Sequence, residues 1–286
     1  MTWAKDLHRR LFVSLISIVV VIVLIVFSTH PVFRFVLIAF VACLAIVAIW
    51  EFVQMAKAKG VHILFPLIAV ATFFEVISFY MASVSAVWHL LPFVIFFIAL
   101  LCFFSFHFQK TKNALVDVSA SIFGLLYVVI PLSMILSILY SPSCGYFEDG
   151  RWWMAYLLVV TKITDVGAYF GGKILGRKKL AHSISPHKTI EGAVLGFLCA
   201  VAASLCFYFF EDSICQGCFQ FGLTQAIGLG AVLGIAGQLG DLSESLLKRD
   251  ANIKDSNILP GLGGVLDAVD SLLFNIPIIY FFLCRT

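Results

Sequence analysis

Between Gly240 and Ser271 the sequence GDLSESLLKRDANIKDSNILPGLGGVLDAVDS gathers six carboxylates and three basic side chains, in a chain of which only 12% is charged. Carboxylates that converge repel one another, so they either share protons or bind a cation. Mg²⁺ fits such a set, because it takes oxygen ligands and is usually held by one or two carboxylates together with substrate phosphates. Lys188, Lys248, Arg249 and Lys254 fall on the same side of the membrane as these carboxylates. A metal beside Lys and Arg is the equipment of phosphoryl or nucleotidyl transfer, where catalysis is positioning plus charge stabilisation. No Walker A, HExxH or GxSxG pattern occurs, which disfavours P-loop ATPases, zincins and serine hydrolases.

A second polar stretch lies upstream, GKILGRKKLAHSISPHKTIEG from Gly172 to Gly192. Arg177 to Lys179 read as positive-inside charge attracted to anionic lipid. Ser185, Lys188, Thr189 and Glu191 crowd the start of the next helix instead. Hydroxyls, backbone N–H groups and a Lys at a helix N-terminus make an anion site, with phosphate as the natural guest. Thr189 serves equally well as a plain N-cap. One helix earlier, Lys162, Asp165 and Tyr169 share a face. Lys162 and Asp165 make either a structural ion pair or the lining of a polar cavity.

The elements that carry these residues are apolar. The 286-residue chain has a mean hydropathy of +1.05 and is 62% hydrophobic, which makes it a polytopic, all-α membrane protein. Nine segments reach the roughly 20 residues a spanning helix needs: 10–28, 32–50, 61–80, 86–106, 114–140, 152–173, 190–210, 221–247 and 262–284. Alternating strands of a barrel are absent. Leu11 to Phe27 is long for a signal sequence and lacks a small-residue cleavage site, so it reads as an uncleaved helix. With the N-terminus inside, 15 of the 19 basic residues face the cytoplasm, which orients the chain. The net charge of +3 describes these loops and implies no nucleic acid partner.

The chain divides into a scaffold of five helices, residues 1–140, and a catalytic region of four, residues 141–286. In the scaffold Glu51 reads as a solvated carboxylate at a helix end. Glu75 and Asp117 are intramembrane carboxylates best read as structural. Trp152 and Trp153 mark an interfacial belt. Cys43, Cys102, Cys199 and Cys206 act as small apolar residues in spans. Cys144, Cys215, Cys218 and Cys284 fall at the outer face, where free thiols and a disulfide are both open.

In the eighth segment Gly230, Gly234, Gly237 and Asp241 form one stripe. Gly263 and Gly264 open the ninth, followed by Asp267 and Asp270. Small residues allow close helix approach, so the two helices are expected to pack through their glycine faces and to bring Asp241 and Asp267 together. Asp267 stands about 9 Å along the helix from Gly261, near headgroup depth.

Ser245-Leu-Leu-Lys248-Arg249, Lys254-Asp255, Pro260-Gly261, Gly263-Gly264 and Asp267-x-x-Asp270 closely resemble the signature of phosphatidate cytidylyltransferases. Asp165-x-Gly167-Ala168-Tyr169 and Ser185-Pro186-x-Lys188-Thr189-x-Glu191-Gly192 are similar to that family's other marked segments. The pattern departs from the family's usual one at Leu262, where His or Gln is common, and at Ala268, where Arg is common. The resemblance implies that CTP and phosphatidate give CDP-diacylglycerol and pyrophosphate at the cytoplasmic face of the inner membrane. It implies Asp241, Asp267 and Asp270 around Mg²⁺, with Lys188 and Arg249 on phosphates. Ser185, Thr189, Glu191, Lys248, Lys254, Asp255 and Asp165 are then expected to contact or shape the substrate site, and a homodimer is expected. A secondary transporter using Lys162, Asp165, Asp241 and Asp267 as an ion path is the alternative. It leaves the basic loop and the Pro-Gly-x-Gly-Gly turn unexplained.

Overall fold

The computed structural model describes residues 15–108, 112–140, 149–215, 218–219, 221–253 and 264–285. They form helices α1 (Leu15–Val26), α2 (Pro31–Ala58), α3 (Phe65–Val84), α4 (Leu91–His107), α5 (Ala114–Gly124) and α6 (Ile130–Tyr140). These are followed by α7 (Gly150–Leu175), α8 (Ile190–Phe209), α9 (Glu211–Cys215), α10 (Leu223–Asp250) and α11 (Val265–Arg285). A prolyl residue opens α2, α3 and α4, where its missing N–H is not needed and its φ suits the first turn. A π-helical stretch, Leu125–Val129, joins α5 to α6 just before Pro131, which cannot donate the regular backbone bond.

Among the described residues seven helices are long and apolar enough to cross a membrane, and the protein is an all-α integral membrane protein. The first and sixth of the nine expected spans are not among the seven. The described part of α1 is short. Helix α7 has 26 residues, about 39 Å of helix, but Arg151, Lys162, Asp165 and Lys173 interrupt its apolar run. The Gly172–Gly192 loop holds a small antiparallel hairpin, β1 (Lys179–Ala181) and β2 (Ser185–Thr189), with Lys179 opposite Thr189 and Ala181 opposite Ser185.

The chain forms two compact units: Met1–Ser137 with Ala251–Val269, and Ile138–Asp250 with Asp270–Thr286. In the first, α2, α3 and the α5–α6 region pack around Ile49, Ile68, Val76, Val128 and Leu132, all fully buried. Gly124 lets this packing close, since a Cβ there would stand 2.8 Å from Ile49 Cδ1. Asp117 accepts a hydrogen bond from His62 N at 2.8 Å and faces His107 Nε2 at 3.5 Å, a structural tie from the first turn of α5 to the α2–α3 loop and the end of α4. Glu51 corrects the sequence reading. Helix α2 runs on to Ala58, so Glu51 lies within it and is 1% exposed. Its carboxylate accepts hydrogen bonds from Val265 N at 2.8 Å and Leu266 N at 2.7 Å.

In the second unit α8 packs against both α7 and α10. The α7–α8 contact is a glycine seam that sequence reasoning missed. A Cβ on Gly171 would stand 3.2 Å from Gly192 Cα, and one on Gly196 would stand 2.9 Å from Ala168 Cβ. Such small-residue faces give a membrane helix pair its van der Waals contact, because lipid offers no hydrophobic drive to associate. At one end of the unit Trp153, Tyr156, Phe207, Phe219 and Phe221 form an aromatic cluster. Trp153 is fully buried in it rather than placed in an interfacial belt. Tyr156 hydroxyl meets Ser204 hydroxyl at 2.7 Å, and Ser204 donates to Ala226 O at 2.6 Å. Among the described cysteines, Cys43, Cys102, Cys199 and Cys206 are free, and Cys218 is disulfide-bonded.

Candidate active site

The glycine stripe of α10 serves two neighbours. Gly230 and Gly234 face α8, against Val201 and Ala200. Gly237 and Gly240 face α11, against Asn275 and the backbone of Asp270 and Ser271. The expected close approach to the last helix is therefore confined to the lower half of the stripe, where α10 reaches Asp241. Asn275, fully buried, fixes α11 further by donating from Nδ2 to Thr161 Oγ1 of α7 at 2.8 Å.

Three helices thus deliver carboxylates to one region of the second unit. Asp165 of α7, Asp241 of α10 and Asp270 of α11 lie near enough for their charges to interact. Ser271 links two of them. Its hydroxyl stands 2.9 Å from Asp270 Oδ1 and 3.4 Å from Asp165 Oδ2, and its backbone N–H also donates to Asp270. Neither Ser271 nor Glu244 was singled out from the sequence. Ser271 follows Asp270 and carries no pattern of its own, whereas Glu244 sits one turn before Lys248 and could have been found from that spacing.

The cations are distributed unequally. Lys188 Nζ lies 2.7 Å from Asp241 Oδ2, with 27% and 36% of the two side chains exposed. Lys162 Nζ lies 3.5 Å from Asp165 Oδ2, and Lys162 is the more exposed of the two lysines, whereas the Nζ of Lys188 is shielded from solvent. Lys248 instead turns back on its own helix to the buried Glu244, at 2.7 Å. Arg249 donates from Nε to Ile184 O at 3.1 Å, tying the last turn of α10 to the hairpin that carries Lys188.

The start of α8 is capped from within. Thr189 is the N-cap and accepts from Gly192 N at 3.2 Å. Glu191 accepts from the backbone N–H groups of Arg177 and Lys178, which holds the hairpin's entry strand against α8. Ser185 opens β2 opposite Ala181. Thr189, Glu191 and Ser185 therefore build the hairpin on which Lys188 is presented.

Asp267 belongs to the first unit. Its Oδ2 accepts from Gly264 N at 3.1 Å. Lys254 and Asp255, and Leu262 of the Pro-Gly turn, lie outside the described residues. Among the described residues no three His, Cys, Asp or Glu side chains stand at metal-coordinating distances. The donor chemistry nevertheless suits Mg²⁺, which needs one or two carboxylates and takes its other oxygens from water and phosphate.

The chain is similar to known proteins along nearly its whole length. The model of the cytidylyltransferase family matches residues 8–285. A phosphatidate cytidylyltransferase of Chlamydia pneumoniae is 35% identical over 98% of this chain and 93% of its own length. That of Chlamydia trachomatis serovar D is 38% identical over 69% of this chain and 65% of its own. One from Staphylococcus aureus is 39% identical over 49% and 52%. The chain belongs to the cytidylyltransferase family.

Proposed function

We propose that the protein condenses CTP with phosphatidate to give CDP-diacylglycerol and pyrophosphate, in the inner membrane of a bacterial cell. The observation that carries this reading is the half-buried Lys188–Asp241 pair beside Asp165 and Asp270, in a chain of this family. A transferase for two polyanions needs positive groups that can change partners. Lys162 is paired but exposed and can leave its carboxylate at small cost. Lys188 is half-buried with its Nζ shielded from solvent, so a phosphate beside Asp241 would replace one buried partner by another.

The reaction needs no covalent enzyme intermediate. An oxygen of the phosphatidate phosphate attacks the CTP α-phosphorus, a new P–O–P bond forms, and the bond to the β-phosphate breaks. Pyrophosphate leaves with the electron pair. Lys188 binds the triphosphate and offsets the charge that grows on the departing group. Arg249 holds the hairpin through Ile184 and adds positive charge beside it. The Lys248–Glu244 pair fixes the last turns of α10. Asp241 and Asp270 would hold Mg²⁺, which would supply charge neutralisation for the phosphates; the family resemblance assigns Asp267, in the first unit, to the metal as well. The lipid enters sideways from the leaflet with its headgroup at the depth of the carboxylates.

The cytoplasmic orientation of this region rests on the basic residues of the hairpin and the α10 end. It gains support from the disulfide at Cys218, in the α9–α10 connection, since disulfides persist on the oxidising side. A homodimer is proposed from family resemblance alone. The test is a purified preparation in detergent given CTP, Mg²⁺ and phosphatidate. Equal amounts of pyrophosphate and cytidylylated lipid are expected. Product with a different lipid phosphate and none with phosphatidate would move the substrate assignment.

A further inference from the structure

We infer that Glu51 is a positioning residue for Asp267, acting through the N-terminus of α11. The first backbone N–H groups of any helix have no partner within it, and an N-cap side chain normally satisfies one. Gly264 stands at that position in α11 and has no side chain to offer. The missing acceptors come from α2, at a sequence separation of 214 residues: Glu51 Oε1 takes Val265 N and Oε2 takes Leu266 N. Asp267 supplies the third, accepting Gly264 N at 3.1 Å, the backward half of a capping box. The regular helix ladder then begins with Ala268 N bonded to Gly264 O.

The arrangement orders Asp267 in two steps. Glu51 fixes the peptide planes at 264–266, and the Gly264 N–H then fixes the Asp267 carboxylate. A buried carboxylate bonded to two N–H groups at the positive end of a helix is charge-assisted, so the clamp is stiff. Three N–H groups at this end are already taken by carboxylates, so they do not serve as a cradle for substrate phosphate. That task falls to lysine and arginine side chains. Groups that orient a metal ligand from behind matter nearly as much as the ligand itself.

This inference rests on the proposed role of Asp267, and its test separates the two. Full-length Glu51→Gln and Glu51→Asp proteins are compared with the wild type in detergent by hydrogen exchange and by kinetics. Gln keeps the shape but turns an NH₂ toward one of the two N–H groups. Exchange at Val265 and Leu266 is expected to accelerate at least tenfold in Glu51→Gln, with Glu51→Asp between it and the wild type. In the assay, Glu51→Gln is expected to raise the half-saturating Mg²⁺ or lower kcat about tenfold to a hundredfold, with KM for CTP within about twofold. Unchanged exchange at 264–266 overturns the clamp, whether or not the wild type is active. Accelerated exchange with normal kcat and Mg²⁺ dependence, even with a lower thermal midpoint, reduces Glu51 to a structural residue and overturns the positioning role. A wild type without any cytidylyl transfer removes the functional reading, while exchange still decides whether Glu51 holds the helix start.

Discussion

Glu51 and Asp117 in the first unit, and Asp165 and Asp241 in the second, are all carboxylates on helices of a membrane protein, yet they are answered differently. In the first unit the partners include fixed backbone donors: Val265 N and Leu266 N for Glu51, and His62 N for Asp117. In the second unit they are lysine ammonium groups on partly exposed side chains, Lys188 for Asp241 and Lys162 for Asp165. A backbone N–H cannot leave, whereas a lysine on a four-carbon stem can. The first arrangement builds a scaffold. On the proposed reading the second can change partners, its lysines turning to the phosphates of the substrates and its carboxylates to a cation.

This contrast makes substitutions in the two units separate by what they damage. Asp241→Asn is expected to have the largest effect, lowering kcat/KM about 10²- to 10³-fold at an unchanged thermal midpoint. Retained turnover would remove Asp241 from the site. Lys188→Met is expected to cost about tenfold to a hundredfold, with KM for CTP rising, because a charge-assisted phosphate contact is lost. A Lys188→Arg protein retaining much of the activity would show that charge, not shape, is the requirement.

Gly192→Val tests packing beneath the site. Its Cβ would stand 2.6 Å from Ala168 O and 2.9 Å from Gly172 N, so the α7–α8 seam must open. The expected cost is about 1–3 kcal/mol, read as a lower thermal midpoint in detergent. The smallest effect on chemistry is expected at Asp117→Asn. It alters the carboxylate contact to His107 and weakens the acceptor for His62 N, at about 1–3 kcal/mol of stability. Turnover per folded molecule should stay within about twofold; a large loss would erase the distinction between the two units.

Spans and polar clusters were legible in the sequence because hydropathy and charge are local. The ends of α3, α8 and α10 fall within a few residues of those expected. The division of the α10 glycines was not legible. Gly230 and Gly237 look alike in a stripe, and only packing decides that one meets Val201 of α8 and the other Asn275 of α11. The same holds for Glu51. Its apolar run thins near residue 50, which reads as a helix end, whereas burial against the start of α11 carries the helix on to Ala58. Its partners are far away in sequence, and no spacing rule reaches them. Trp153 was misread because an aromatic pair at a span boundary usually marks lipid headgroups; here Phe219 and Phe221 fold over it. In the candidate site the charged residues announced themselves, but the pairing of Lys248 with Glu244 depends on which face of α10 is buried.

The central claim is that the cation–carboxylate region of the second unit transfers a cytidylyl group to a lipid phosphate. Its most direct measurement uses radiolabelled CTP with purified wild type and Asp241→Asn in phosphatidate-containing micelles with Mg²⁺. The label is expected to enter the lipid phase in step with pyrophosphate release for the wild type, and to stay in the aqueous phase for the folded Asp241→Asn protein. Label confined to the aqueous phase with wild-type protein, across several phosphatidate species, would contradict the account.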